Sequence, residues 1–439
     1  MSAAIETAAI ISTGDEIVGG RTVDTNSSYL ADRLASLAID VVSITTVGDY
    51  PGRIEWAWKT SLAHADVVIS TGGLGPTADD LTNETLARVA GVDLELNEEE
   101  AEKIRELFAR LNRPMPDNNL KQAMLPVGAE VVLNELGTAP GYRLVIPTAG
   151  RNPVAIVLPG VPREMKAMVE GDLIPWLAAQ RGEGQAVMSR TFQTFGMSES
   201  ALDEALADLE LPDHVRLSFR ASFPQISVRV GVVASETEAR SALEDFGGRI
   251  AGRLGSAVYA EGDTTMEAEV GRLLREHDKS LATAESCTGG LIGNRLTNVA
   301  GSSEYYLGGL VAYSNDVKQK SLDVSASTLS MFGAVSEETA GEMAVGARAA
   351  TGADIAIATT GIAGPDGGTE EKPVGTVAIA MAADGLADDG VRSQMYQLWG
   401  NREWVKILTS QIALDWIRRF LVGLDPLESN FGRRVRPKS

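Results

Sequence analysis

Short apolar runs alternate with segments whose apolar positions recur every three or four residues. The pattern loosens near residue 181 and resumes near 262. Ala8–Ser12 reads as a short buried strand. Tyr29, Leu30, Leu34 and Leu37 form one helix face, with Asn26 placed to cap it. Val41–Val47 is β-rich, Ile54–Ala63 reads as a helix and Val67–Ser70 as another strand. Short strands separated by helices predict a parallel or mixed sheet covered on both faces. In such sheets ligands sit beyond the carboxyl ends of the strands.

The looser stretch opens on Arg181-Gly-Glu-Gly184, a linker by composition. Thr191–Phe195 and Gln225–Val233 read as strands, and Ser200–Leu209 and Glu236–Leu254 as helices, which makes a small α+β module. In the third part Thr264 and Glu267 have capping-box spacing ahead of the apolar face Met266, Val270, Leu273 and Leu274. A strand before Ser286 and the strands Leu310–Tyr313, Ile355–Ala358 and Thr376–Ala382 alternate with helices, and an amphipathic helix through Trp404, Leu408, Ile412, Trp416 and Phe420 closes the chain. The parts expected are therefore 1–180, 181–261 and 262–424. A basic tail, 425–439, reads as unstructured.

The chain has 439 residues, too many for one ordinary core. A hydrophobic share of 44% and a charged share of 23% fit a soluble globular protein. The net charge of −21 works against non-specific binding to nucleic acid or an anionic membrane, so no direct nucleic-acid partner is expected. Cys287 is the only cysteine, which excludes an intrachain disulfide and a cysteine-rich zinc site. No signal-peptide pattern opens the chain and no apolar run approaches the roughly 20 residues a membrane helix needs, so a cytoplasmic enzyme is the expectation.

Thr283-Ala-Glu-Ser-Cys-Thr-Gly-Gly290 reads as the end of a strand, a glycine turn and the start of a helix. A serine on such a turn sits beside backbone N–H groups able to meet a developing oxyanion. The histidines His64, His214 and His277 lie at no strand end and in no glycine turn. That leaves lysine as the base for Ser286, since desolvation lowers a lysine's pKa. Tyr313-Ser-Asn-Asp-Val-Lys318 follows a strand and offers Lys318 as base, with Tyr313 relaying the proton or holding the amine. Cys287 is a rival nucleophile next door, and a small packing group by the plainer reading. Thr359–Thr369 is a second glycine-rich loop, open to a phosphate or to no ligand at all.

Near the other end, Ser70-Thr-Gly-Gly-Leu-Gly-Pro-Thr-Ala-Asp-Asp80 also follows a strand. Gly72, Gly73 and Gly75 allow a tight backbone cradle, and Asp79 and Asp80 add carboxylates behind it. That suits a phosphorylated ligand held with a divalent metal, and equally a plain helix start with its acidic first turn.

Taken together, Thr283–Gly290, Gly301-Ser-Ser303, Tyr313-Ser-Asn315 with Lys318, Gly333-Ala-Val-Ser336, Thr360–Pro365 and Lys372-Pro-Val-Gly375 resemble the C-terminal domain of the CinA family. That resemblance implies a nicotinamide-nucleotide amidohydrolase, which converts nicotinamide mononucleotide to nicotinate mononucleotide and ammonia without a cofactor. It places the nucleophile on Ser286, the general base on Lys318 and the assisting tyrosine on Tyr313. It puts substrate contacts on Glu285, Thr288, Gly289, Gly290, Ser302 and Ser303, and on Asn315, Thr360, Gly361, Gly364 and Arg402. One departure is Trp399-Gly-Asn-Arg402, where the family often has aspartate in place of Asn401.

Thr13-Gly-Asp-Glu16 with Gly19, Asp24-Thr-Asn26, Ser70–Asp80 and Asn134 with Gly137–Gly141 resemble the family's N-terminal domain, similar to the molybdopterin-binding fold. Leu158–Met165, with Val161 as a mild departure, and Phe195–Ser200 carry the likeness into the middle module. The implied activity is a metal-dependent ADP-ribose pyrophosphatase. Its nucleotide site would take Gly72, Gly73, Gly75, Thr77, Asp24 and Asn26, and Asp80, Asp79 and Asp49 would hold Mg, Mn or Co. The fold class implied is α/β throughout: a molybdopterin-binding-like domain with a parallel or mixed sheet, a small α+β module and an α/β deamidase domain. The family further implies a homodimer, and its name suggests a rival role as a non-catalytic competence scaffold.

Overall fold

The structure is a computed structural model that describes residues 5–428, except 111, 149, 181–185 and 388, and the backbone of 433 and 434. The chain divides into two compact units. One holds the described residues up to Ser189 with Pro212–Arg216 and Gly231–Glu244. The other holds Arg190–Leu211, Leu217–Val230 and the described residues from Asp245 onward.

The first unit is built on a six-stranded sheet in the order Asp40–Val47, Thr7–Thr13, Val67–Thr71, Val154–Leu158, Gly141–Val145, Glu130–Val132. The first four strands run parallel, and the last two are antiparallel to their neighbours. Val67–Thr71 is buried at every position, as an apolar run at the centre of a two-sided sheet must be. Ile54, Trp58, Leu86 and Tyr142 fill one face, and Leu30, Leu34, Met165 and Leu177 the other. The cap expected at Asn26 is at Asp24, whose side chain accepts from the Ser27 N–H and starts the helix Thr25–Ser36. Asn26 is thereby freed to turn its amide inward.

The middle of the chain forms a four-stranded sheet in the order Val215–Ser222, Gln225–Ala234, Ala186–Thr194, Val258–Glu261. Two of these strands, Val215–Ser222 and Val258–Glu261, were not expected from the sequence. The helix Glu236–Leu254 has the expected bounds, and the helix expected over Ser200–Leu209 runs Glu199–Leu206.

The C-terminal sheet runs Tyr306–Val311, Leu281–Glu285, Ile355–Gly361, Thr376–Ala383, Val391–Gln397, Arg433–Arg434. The first three strands are parallel and the rest antiparallel. Three sequence expectations need correction here. The helix Met266–Glu276 is capped by Thr265, not Thr264. The closing helix Arg402–Leu421 is not amphipathic: Leu408, Trp416 and Ile417 are buried, but so are Gln411, Asp415 and Arg418, whose polar atoms find partners inside. In the tail, Pro426–Glu428 is a helical turn and Arg433–Arg434 pairs with Tyr396 and Gln397; its other residues from 429 on lie outside the described ones.

Candidate active site

Leu281–Glu285 is buried at every position and ends where the glycine turn begins. The Ser286 N–H donates to the Thr359 carbonyl at 2.9 Å, which pins the first turn residue to the neighbouring strand. Gly289 and Gly290 have φ values of 63° and 92°, a region that favours glycine, so the chain can reverse there into the helix Leu291–Thr297. Glu285 holds the turn from below. Its carboxylate accepts from the N–H groups of Gly290 (3.0 Å), Ile292 (3.1 Å) and Gly293 (2.9 Å), the otherwise orphaned donors of the helix start. Glu285 is therefore a brace within the fold and not the substrate contact expected of it.

Lys318 comes from the helix Asn315–Leu322, whose N-cap Ser314 accepts from the Val317 N–H. Its side chain is only 1% exposed. Nζ donates to Ser286 Oγ at 2.9 Å and to the Ala312 carbonyl at 2.8 Å. Burial lowers its pKa below the ordinary lysine value, because the charged form is desolvated. Among the described residues no carboxylate pairs with it to restore the charge. The helix is held from behind by Glu337–Thr351, where a Cβ added to Gly346 would meet the Leu322 carbonyl oxygen at 1.9 Å, so only glycine permits that approach.

Around this pair lies a cleft of about 230 Å³. Asn315, Thr360, Gly361 and Arg402 line it, together with Ser286, Lys318 and Tyr313. Tyr313 is 63% exposed, and its hydroxyl accepts from Arg402 Nη2 at 2.9 Å; no hydrogen bond joins it to Lys318 or Ser286. The proton relay expected of Tyr313 is thus not formed. Arg402 also donates to the Gly364 carbonyl at 2.7 Å, so it spans the mouth, with Gly364 behind it and not on the lining. Thr288 is turned inward onto Thr359 at 2.8 Å. The Gly289 N–H is spent on the Ser286 carbonyl and that of Gly290 on Glu285, so neither is free for an oxyanion. The Cys287 and Thr288 amides are directed at the Cys287 sulfur. Ser302 and Ser303 precede the strand Tyr306–Val311, at the end away from Ser286; a six-residue strand puts them roughly 20 Å off.

The cleft also contains residues with no chemical signature in the sequence. Ala334, Val335 and Ala363 line it. The loop carrying the first two is tied down by Lys372 Nζ, which donates to the Phe332 and Val335 carbonyls at 2.8 Å each, and by Thr360 Oγ1, which donates to the Ala334 carbonyl at 2.7 Å. Cys287 borders the cleft too, but burial pushes its thiol up to about 12, so little nucleophilic thiolate forms. His64, His214 and His277 are exposed and line no part of it. The arrangement can deprotonate a serine hydroxyl beside a turn of backbone amides, without imidazole.

The first unit has its own cleft, of about 460 Å³, beyond the carboxyl ends of Thr7–Thr13 and Val67–Thr71. Of the residues expected there, Asn26, Asp49, Gly72, Gly73, Gly75, Asp79 and Asp80 line it. Asp24 does not, being the helix cap, and Thr77 turns its N–H and hydroxyl onto Asp80. Burial raises the pKa of Asp49, helped by Asp15, Glu16 and Asp79 nearby. Among the described residues no three acidic, histidine or cysteine side chains are grouped closely enough to hold a metal ion.

Comparison with known proteins covers almost the whole chain. Residues 263–421 match the family model described as CinA C-terminal domain, 189–260 the damage-inducible protein CinA KH domain, and 9–179 the "Probable molybdopterin binding domain". A CinA-like protein of Shewanella amazonensis is 43% identical over 415 residues, 94% of this chain and 96% of its own. A CinA-like protein of Desulfovibrio desulfuricans is 42% identical over 425 residues, 97% of this chain and 98% of its own. A protein of Shewanella oneidensis named nicotinamide-nucleotide amidohydrolase PncC is 41% identical over 414 residues, 94% of this chain and 95% of its own.

Proposed function

The chain belongs to the CinA family, and on that premise we propose that its C-terminal cleft hydrolyses nicotinamide mononucleotide to nicotinate mononucleotide and ammonia. The observation that carries this reading is the buried hydrogen bond between Lys318 Nζ and Ser286 Oγ, 2.9 Å long and beyond the reach of any histidine. The relative named nicotinamide-nucleotide amidohydrolase supports the choice of substrate.

In this mechanism neutral Lys318 takes the hydroxyl proton as Ser286 Oγ attacks the carboxamide carbon. Backbone amides at the Ser286 turn meet the oxygen that becomes negative. Lys318 gives its proton to the leaving nitrogen, the C–N bond breaks, and ammonia departs from an acyl ester on Ser286. Water then adds to the ester carbon, Lys318 takes its proton, and the departing Ser286 oxygen receives it. Arg402, presenting its guanidinium at the mouth, meets the substrate's phosphate, and Tyr313 orients that guanidinium.

Ser286→Ala tests the assignment. Ammonia release from nicotinamide mononucleotide falls by at least about a hundredfold if Ser286 is the nucleophile. Undiminished release removes it from the reaction.

A second reading applies to the N-terminal cleft, and its size together with Gly72 and Gly73 at the strand ends favours it. There we propose a nucleotide site acting on ADP-ribose. The carboxylates expected to hold a divalent metal, Asp49, Asp79 and Asp80, border the cleft without forming a three-ligand group. If a metal is nonetheless required, EDTA abolishes ADP-ribose cleavage and leaves deamidation intact; cleavage that persists in EDTA ends the metal requirement. We also place the enzyme in the cytoplasm, as a homodimer, and light scattering decides the second point. Among the described residues no helix is long and apolar enough to cross a membrane.

A further inference from the structure

A buried polar atom without a protein partner is costly to fold around, so a cluster of them marks a place where something else is meant to bind. Four such atoms meet at the N-terminal cleft. Ser12 Oγ, Thr13 Oγ1, Asn26 Oδ1 and Gln122 Oε1 have no protein partner, belong to residues at most 8% exposed, and all four residues line that cleft. No such atom is found among the residues lining the deamidase cleft.

The orientation of two of them is forced. Asn26 Nδ2 donates to Thr71 Oγ1 at 3.0 Å and to the Gly160 carbonyl at 2.8 Å. Thr71 spends its own hydroxyl proton on the Pro159 carbonyl, so it can only accept from Asn26. Gln122 Nε2 donates to the Leu74 carbonyl at 3.2 Å. Neither amide can flip without placing carbonyl oxygen against carbonyl oxygen, so Oδ1 and Oε1 are fixed as acceptors. The charged groups on the lining are acceptors as well: Glu16, Asp49, Asp79, Asp80 and Glu164, with no lysine or arginine. A bare phosphate brings no donor to such a wall.

We propose that Asn26 and Gln122 determine specificity in this cleft by reading hydrogen-bond donors on the nucleoside part of a nucleotide, its ribose hydroxyls or its exocyclic amine. Any phosphates then lie toward the glycine turn at Gly72 and Gly73. This rests on the reading of the cleft as a nucleotide site.

The test is calorimetric binding to the full chain of adenosine, of purine riboside, which lacks the amine, and of 2′,3′-dideoxyadenosine, which lacks the ribose hydroxyls. ADP-ribose serves as the control. Adenosine binds, and the analogue missing the donor that is read binds at least about tenfold more weakly, because an acceptor is left unpaired. Which analogue suffers identifies the source of the donor. In Gln122→Met, and in Asn26→Leu if it folds, the gap closes because adenosine weakens while the deficient analogue does not. A general packing defect would weaken all ligands together. Equal binding of the three nucleosides, or a gap that survives in Gln122→Met and in folded Asn26→Leu, overturns the inference. ADP-ribose binding without adenosine binding overturns it too, with the nucleotide reading intact. Failure of both to bind takes that reading down as well.

Discussion

In the proposed mechanism Lys318 has to be neutral to act as a base, and its surroundings favour that state by subtraction. Burial disfavours the charge, and no carboxylate pairs with it. Deamidation should therefore rise with pH through a pKa below the roughly 10.4 of an ordinary lysine, read as kcat/KM against pH. Lys318→Met and Lys318→Arg should both lower kcat by about a hundredfold or more, the first for want of an amine and the second because guanidinium keeps its proton. Stability carries the same signature. Between the folded and unfolded pKa values the unfolded chain binds the extra proton, so stability climbs with pH in that window and levels off above the unfolded value. Urea titrations should show that slope in the wild type and a flatter one in Lys318→Met. Cys287→Ala should keep kcat within about threefold, since a thiol pushed up to about 12 contributes little thiolate; a larger loss would transfer the nucleophile's role to the thiol.

The elements that carry Ser286 and Lys318 are held by a carboxylate and a glycine outside the cleft lining. Glu285 satisfies three N–H donors at the start of Leu291–Thr297, and Glu285→Ala should cost about 3 kcal/mol, taking about 1 kcal/mol per donor left unpaired. A denaturation midpoint unchanged from the wild type would show the brace to be dispensable. Much at this scale was legible in the residues. Val67–Thr71 and Ile355–Gly361 are apolar β-rich runs, and the structure makes them strands within one to three residues of the expected ends. Caps were less legible, because neighbouring polar residues are equivalent on paper: Asp24 and Asn26, or Thr264 and Thr265, differ only in where the helix begins to wind. Val215–Ser222 alternates apolar and polar residues, a short period-two signal beside the turn at Phe223 and Pro224 that a loop can share. The Ser286–Lys318 pair could be read because the chain offers no histidine in a glycine turn. Ser302 and Ser303 misled because a motif contiguous in sequence does not say which end of its strand faces the cleft. Ala334, Val335 and Ala363 left no trace, since a methyl or isopropyl group that shapes a cleft looks like any other apolar residue.

At the scale of the molecule, both large sheets are built alike, a parallel part continued by antiparallel strands, and each has its cleft beyond the carboxyl ends of the parallel part. Such a build leaves helix starts and glycine turns on one edge, where polar ligands are easily met. The overall charge of −21 opposes nucleic acid despite the match of residues 189–260 to a KH domain. A gel shift at physiological salt should show no retained DNA or RNA; tight, salt-sensitive binding would instead favour a role in competence.

Cys287 has one further use, which comes from its solitude. A sulfhydryl reagent has a single target in all 439 residues, one position from Ser286 and buried in the folded chain. Under native conditions each modified molecule would record one excursion in which this wall came open. The slow loss of free sulfhydryl is thus a built-in clock for breathing of the deamidase domain, with no foreign label to install.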